Sequence, residues 1–503
     1  MPEYLIVEGR VLEEYWSNGF TKVSIVERPP ETYYVVEPLK LSEEEETELK
    51  NVLEELSFRL KPKEILDPQA LENKLKELGI DGKLIYYVKA KVHGYDWLQG
   101  LMDDPRLEDI HCFCPGTPIR VVHRDYGLLK TNIVPGEAEV DHMVRLLAYR
   151  GGSSISLFKP VEDTVILPEG DRAALTYKSE VSFSSSFTIR KFPRNPWNPA
   201  RMIRTGMITP EAMALLWLML DVKAPIIIYG SMRTGKTSLV NSLISLISPE
   251  SSIAIVQDAP EIRCFHENIL YLYTSDRVGF EELAKLALRK SVDYLIVNEI
   301  RVREEAFWWS QLVCTGHGGL TTIHAESLEA VKGRLREFGV GESLLRSIRL
   351  ALHTNLYFAE VDGRKTRVRR VDKVYFLDGS GIPDLIYDYE RKHDRLAERS
   401  PDTLLKYLEK ETGEDLGREW KIRTRFLTLA SRATDRAEEF WALHVKFRRD
   451  PELTISELED RFGSVSMKPK VVRIEEINYC PRCGNPLGDN SRVCLKCGFK
   501  VVI

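Results

Sequence analysis

The chain has 503 residues, 43% hydrophobic and 29% charged, which suits a globular protein of about three or four domains. A net charge of −5 excludes any global electrostatic drive toward nucleic acid. The longest apolar run, Ala212 to Leu220, falls well short of the roughly 18 to 20 residues that span a bilayer, and the N-terminus lacks a signal-peptide layout. We therefore expect a cytoplasmic protein that meets membranes only through a partner.

In chain order, residues 4 to 7, 22 to 26 and 32 to 37 predict short strands. Ser42 and Glu45 form a capping box before a helix carrying Leu49, Val52, Leu53 and Leu56 on one face. These elements define an expected N-terminal α/β domain over residues 1–94. A second mixed α/β domain is expected over 95–192, with strands at Ile119 to His123, Thr131 to Val134 and Val181 to Phe192, and a helix from Val140 to Tyr149. Its His111-Cys112-Phe113-Cys114 reads as strand and turn, because no second ligand pair lies nearby in sequence. Pro193 to Pro199, with three prolines in seven residues, interrupts both periodicities and marks a linker over 193–200.

Pro225 to Thr237 then reads as a buried strand running into a loop. The loop, Gly230-Ser231-Met232-Arg233-Thr234-Gly235-Lys236-Thr237, fits GxxxxGK[ST], and a helix with Leu239, Val240, Leu243 and Ile244 follows. Backbone N–H groups at that helix start would face phosphate, with Lys236 reaching the β- and γ-phosphates and Thr237 available to Mg²⁺. Three further strands are predicted: Ser252 to Gln257, ending in Asp258-Ala-Pro-Glu261; Asp293 to Asn298, ending in Glu299-Ile-Arg301; and Leu320 to His324, preceded by Thr315-Gly-His317-Gly-Gly319. Strands alternating with helices imply a parallel sheet, whose ligands gather at the strands' carboxyl ends. His317 and His324 could be zinc ligands, general acids, phosphate sensors or core histidines; the glycines flanking His317 and the strand-end position of His324 favour sensing.

Residues 386–465 are rich in Arg, Lys and Glu at helical spacing and predict a helical segment with a solvated face. Over 466–503, Cys480-Pro-Arg-Cys483 and Cys494-Leu-Lys-Cys497 have the paired spacing of a zinc ribbon, in which tetrahedral Zn²⁺ would supply most of the folding energy.

These motifs, in this order over residues 95–385, resemble the type II/IV secretion ATPase superfamily, which includes pilus assembly and retraction, archaellum and conjugative secretion motors. The resemblance rests on the phosphate loop Gly230 to Thr237, the aspartate box Asp258 to Glu261, the acidic strand Asp293 to Arg301 and the histidine box Thr315 to Ala325. Upstream, Asp104 to Ile110 and Phe187 to Lys191 are similar to the family's PAS-like N-terminal domain. Tyr34 to Pro38 and the helical tail are similar to its archaeal branch.

The resemblance implies an α/β fold with a RecA-like ATPase core over 201–385. It implies ATP hydrolysis with Mg²⁺ held by Thr237 and Glu299, and Glu261 polarising the attacking water. Asp258 and Arg301 would complete the nucleotide site, His317 and His324 would sense the γ-phosphate, and Arg172 and Arg190 would stabilise transition-state charge. It further implies a homo-hexameric ring working on an integral membrane platform protein. A nucleotide-binding scaffold with little turnover is the alternative, and a nucleic-acid translocase is disfavoured by the acidic charge and the histidine box. The chain departs from the family pattern at Gln257, usually Glu, at Arg233, usually a small residue, and at Asn298 and Val302, usually glycines.

Overall fold

The computed structural model describes residues 2–463, save 39–40, 60–66, 179, 193, 276, 362–363 and 380–381, and beyond them only 471–476, 478–479 and 486–487. The chain forms two compact units, Met1–Arg194 and Asn195–Ile503.

The first unit contains β1 (Glu3–Tyr4), β2 (Arg10–Trp16), β3 (Thr21–Arg28) and β4 (Glu31–Pro38), then helices α1 (Glu43–Arg59), α2 (Pro68–Glu77), α3 (Gly82–Val92) and α4 (Gln99–Asp103). After them come β5 (Leu107–Cys112), β6 (Arg120–His123), β7 (Gly127–Thr131), β8 (Ile133–Val134), α5 (Glu137–Arg150), β9 (Val161–Ile166), β10 (Arg172–Thr176) and β11 (Ser186–Arg190). The capping box forms as expected: the Ser42 N–H donates to Glu45 Oε2 and the Glu45 N–H to Ser42 Oγ.

The division into domains at residue 94 needs correction. One nine-stranded sheet, in the order β2-β3-β4-β7-β6-β5-β11-β10-β9, runs through both segments, joined by parallel pairing of Tyr33 and Tyr34 with Lys130 and Thr131. A buried polar cluster fastens the join. Asp104, fully buried, accepts from Tyr15 Oη and Tyr34 Oη at 2.6 Å each, two hydroxyls from β2 and β4. Burial, with the nearby Arg106 guanidinium, holds His123 beside them below the usual histidine range. Val23, Ile25, Tyr34 and Val36 share one apolar core with Ile110, Val121, Leu129 and Ile189, so the two segments bury each other's surface. The predicted strand from Val181 is confined to β11.

The second unit begins inside the proposed linker. Asn198 caps α6 (Pro199–Arg204) by accepting from the Arg201 N–H at 3.1 Å, which makes residues from Asn195 onward part of this unit. Next come α7 (Pro210–Asp221), β12 (Ile226–Gly230), α8 (Lys236–Ile244), β13 (Ile253–Gln257), β14 (Ile269–Tyr273), α9 (Phe280–Arg289), β15 (Tyr294–Ile300), α10 (Arg303–Cys314) and β16 (Gly318–His324). They are followed by α11 (Leu328–Glu337), α12 (Glu342–Leu345), β17 (Leu350–Val361), β18 (Arg364–Leu377), β19 (Pro383–Glu390) and β20 (Arg395–Glu398). Four helices complete the described core, α13 (Pro401–Thr412), α14 (Leu416–Ala433), α15 (Ala437–Arg449) and α16 (Pro451–Phe462), before the short strands β21 (Val471–Glu476), β22 (Asn478–Tyr479) and β23 (Pro486–Leu487).

The sheet order is β14-β13-β15-β16-β12-β17-β18-β19-β20. Pairing is parallel from β14 to β17 and antiparallel from β18 onward. Strand β16 thus separates the phosphate-loop strand β12 from the acidic strand β15, which is the RecA-like arrangement. Continuously apolar strands such as Ile226-Ile-Ile-Tyr229 fit because helices cover both faces of the parallel part.

The expected helical segment from residue 386 is also corrected, since Pro383–Glu390 and Arg395–Glu398 extend the sheet and helices start only at Pro401. Ile386, Tyr387, Tyr389 and Leu396 are buried in the same core as α7, a packing that the charge-rich composition masked. That core also explains the apolar run from Ala212 to Leu220: α7 is buried all round because α14 and α15 cover its far side. Trp217, fully buried, meets the rings of Phe426, Phe447 and His444. Asp221 at the end of α7 pairs with Arg423 at 2.6 Å and Arg448 at 2.5 Å. Among the described residues no helix is long and apolar enough to cross a membrane.

Candidate active site

The phosphate loop leaves β12 through Gly230, with φ +153°, where a Cβ would lie 2.3 Å from the Thr354 carbonyl oxygen. Only glycine permits so close a backbone approach. Arg233 takes a left-handed φ of 64° and Gly235 one of 93°, after which α8 begins at Lys236. Ser231 is half-buried and Met232 exposed, while Thr234 is buried and shares a 2.8 Å hydroxyl contact with Thr354. Thr237 occupies the first turn of α8.

Lys236 is 7% exposed and folds over its own loop, donating from Nζ to the carbonyls of Gly230 at 3.1 Å and Ser231 at 2.8 Å. Burial pushes its ammonium down to about 8, against the pull of Glu299 and Glu261. His324 stands beside it, since β12 and β16 pair with Gly230 opposite His324. Its Nδ1 lies 3.1 Å from Lys236 Nζ and its Nε2 2.8 Å from Glu299 Oε1. An ammonium can only donate and an ionised carboxylate can only accept, so the contacts suit a ring that accepts at Nδ1 and donates at Nε2. Arg334 of α11 donates to the His324 carbonyl and fixes the strand end.

Glu299 ends β15. Burial works to raise its pKa, but His324 and the Arg301 guanidinium outweigh it and hold the carboxyl down at about 2. Arg301 donates from Nε to Glu299 Oε2 at 2.8 Å and from Nη1 to Asp258 Oδ2 at 3.2 Å, and Thr274 donates to Asp258 Oδ1 at 2.7 Å. Glu261 joins this group by accepting from Asn298 Nδ2 at 3.0 Å. The structure therefore gathers Gly230 to Thr237, Asp258, Glu261, Glu299, Arg301 and His324 at the carboxyl end of the parallel strands.

His317 is not brought there. It immediately precedes β16, at the amino end of the strand, and seven residues of extended chain put it roughly 20 Å from His324. Its Nδ1 lies 3.0 Å from Thr315 Oγ1 and 3.3 Å from the Leu312 carbonyl, at the end of α10. Arg172 and Arg190 belong to the first unit, where they face each other as directly paired residues of β10 and β11. Like charges so placed repel; Thr164, which accepts from Arg172 at 2.7 Å, and Asp109, 3.3 Å from Arg190, partly offset this.

Sequence reading missed Arg369. Its Nε donates to the Arg233 carbonyl at 2.9 Å, bracing the phosphate loop from β18. The basic alternation Arg367/Arg369 was its only trace. The four ribbon cysteines, Cys480, Cys483, Cys494 and Cys497, lie outside the described residues. Among the described residues no group of three or more His, Cys, Asp or Glu could hold a metal ion, and the His111 to Cys114 stretch is strand and turn.

A phosphate loop, an acidic strand one place removed from it and a histidine-bearing strand between them define a RecA-like phosphate-loop core. Residues 178–356 match the family described as Type II/IV secretion system protein, and residues 479–501 match a zinc-ribbon domain. The middle of the chain is thus similar to type II/IV secretion system proteins, and its C-terminal end to zinc ribbons. It is 33% identical to the uncharacterized protein MJ0900 of Methanocaldococcus jannaschii over 305 residues, 59% of this chain and 54% of that one. It is also 33% identical to a probable conjugal transfer protein TrbB of Sinorhizobium fredii over 156 residues, 30% of this chain and 48% of that one. The chain thus spans about half the length of these relatives. Among solved structures, the ATPase DotB of Legionella pneumophila aligns at 18% identity over 71% of this chain and 94% of that one, with a TM-score of 0.41.

Proposed function

We propose that this protein is an ATP-hydrolysing motor of a pilus-like or secretion system, acting in the cytoplasm as a hexameric ring against an integral membrane platform protein. The observation that carries the reading is the continuous contact Lys236–His324–Glu299–Arg301–Asp258 beside the phosphate loop, with Glu261 at its edge. Structural stability does not call for so many charged groups converging on one strand edge, whereas phosphoryl transfer does.

In this reading the N–H groups of the loop and of the first turn of α8 cradle the phosphates, and Lys236 exchanges its carbonyl partners for phosphate oxygens. Glu261 orients the attacking water and accepts its proton. His324, bridging Lys236 and Glu299, reports γ-phosphate occupancy to both. Thr237 and the ionised Glu299 have the hydroxyl and carboxylate donors that Mg²⁺ takes, and the ion when bound neutralises phosphate charge. Arg172 and Arg190, directly paired across β10 and β11, are proposed to meet the charge that develops in the transition state. His317 is given no part in this chain's own nucleotide site.

Steady-state phosphate release and nucleotide binding test the proposal together. Turnover should vanish in Lys236→Ala, and Glu261→Gln should keep binding while losing turnover. Full activity in Lys236→Ala would overturn the site; binding without turnover in the wild type would leave a scaffold.

A further inference from the structure

Glu261 does not sit on a strand or helix. It lies in the irregular segment after β13, and a carboxylate there acts on a water reproducibly only if its neighbours hold it. Two side chains do so. Gln257, 3% exposed, accepts the Ile262 N–H at Oε1 at 2.9 Å and donates from Nε2 to the Ile262 carbonyl at 3.4 Å. Asn298, 7% exposed, donates to the Glu261 carboxylate itself, and its main-chain carbonyl accepts from Thr322 Oγ1 of β16 at 2.7 Å. The Arg263 N–H is held in turn by Asn241 of α8 at 3.1 Å.

Both groups are amides for a reason. The reciprocal contact of Gln257 needs one donor and one acceptor; a carboxylate there would leave the Ile262 carbonyl unpaired and add charge beside Asp258, Glu261 and Glu299. Glycine at 298 would offer Glu261 no donor. The two amides thus act on one short segment, Gln257 through the Ile262 main chain and Asn298 through the Glu261 carboxylate. We infer that Gln257 and Asn298 are positioning residues that hold Glu261 in its working orientation, an inference that rests on the hydrolytic reading above.

The test is a kcat against Kd comparison for ATP, with melting temperature as a check on folding. Asn298→Ala should lower kcat by about tenfold to a hundredfold, because misplacing a reacting group by about 1 Å costs on the order of a hundredfold and a smaller shift less. Nucleotide Kd and melting temperature should hold. Asn298→Asp keeps the shape but sets a carboxylate against Glu261, so it should turn over more slowly than Asn298→Ala; a packing role predicts the reverse order. Gln257→Glu should lower kcat at unchanged Kd. Wild-type kcat in Asn298→Ala, parallel loss of binding, or an Asp variant faster than the Ala variant would overturn the inference. Glu261→Gln is the control: retained turnover there would remove the role of Glu261 itself, whereas lost turnover with an unaffected Asn298→Ala would remove only the positioning pair.

Discussion

His324 Nδ1 lies 3.1 Å from Lys236 Nζ while its Nε2 lies 2.8 Å from Glu299 Oε1, so one imidazole ring joins the phosphate-loop lysine to the acidic residue of the neighbouring strand. The three groups come from the start of α8 and the adjacent ends of β16 and β15.

The lysine gives this site a pH signature. With its pKa lowered to about 8 by burial, Lys236 is cationic below that pH and neutral above it. Phosphate favours the cation, so above pH 8 binding must first take up a proton. ATP affinity should be flat below about pH 7 and fall as pH rises through 8, approaching about tenfold per unit. Fluorescent-nucleotide titration checks this, and Lys236→Arg should remove the slope because guanidinium stays charged.

Arg233 holds a left-handed backbone that a glycine would adopt without strain. Arg233→Gly should raise stability by about 0.5 to 1 kcal/mol, the relief of strain exceeding the entropy gained by the unfolded chain. The carbonyl that Arg369 engages is kept, so nucleotide affinity should change little. Urea denaturation followed on the core measures the first effect and titration the second.

The helical tail is part of the core's packing. Asp221→Ala would leave Arg423, only 8% exposed, without its carboxylate partner from α7. Because Glu419 still pairs with Arg423 at 2.7 Å, removing Asp221 should cost about 1 to 2 kcal/mol, read as a lower melting temperature with both tail and core affected together.

For the ribbon, the purified protein should carry about one Zn²⁺ per chain, as two cysteine pairs make one tetrahedral site. Cys480→Ser with Cys483→Ser should abolish it by elemental analysis. Nucleotide affinity of the core should stay unchanged; a matching loss would tie the ribbon to the ATP site.

How far these features were legible follows from how local they are. The phosphate loop is contiguous, so Gly230 to Thr237 could be read directly, and Glu299 and Asp258 announced themselves at the ends of apolar strands. A motif spells residues in order while a strand separates its ends, so His317 and His324 share a box yet lie at opposite ends of β16. Pairing between β4 and β7 links Tyr34 to Thr131, and nothing in either segment encodes that contact, which is why one sheet read as two domains. Arg369 was hidden for the same reason, its partner Arg233 lying on another element. The strands from Pro383 to Glu398 were masked by charged residues on their exposed sides.

The packing of the tail has a mechanical consequence. Trp441 of α15 lies against His266 with ring centroids 4.9 Å apart, five positions beyond Glu261, while Arg448 of the same helix grips Asp221. One helix therefore touches both a buried strut of the core and the segment that carries Glu261. In the proposed motor, a pull on the tail would be transmitted to that carboxylate, and load and hydrolysis would share a single lever.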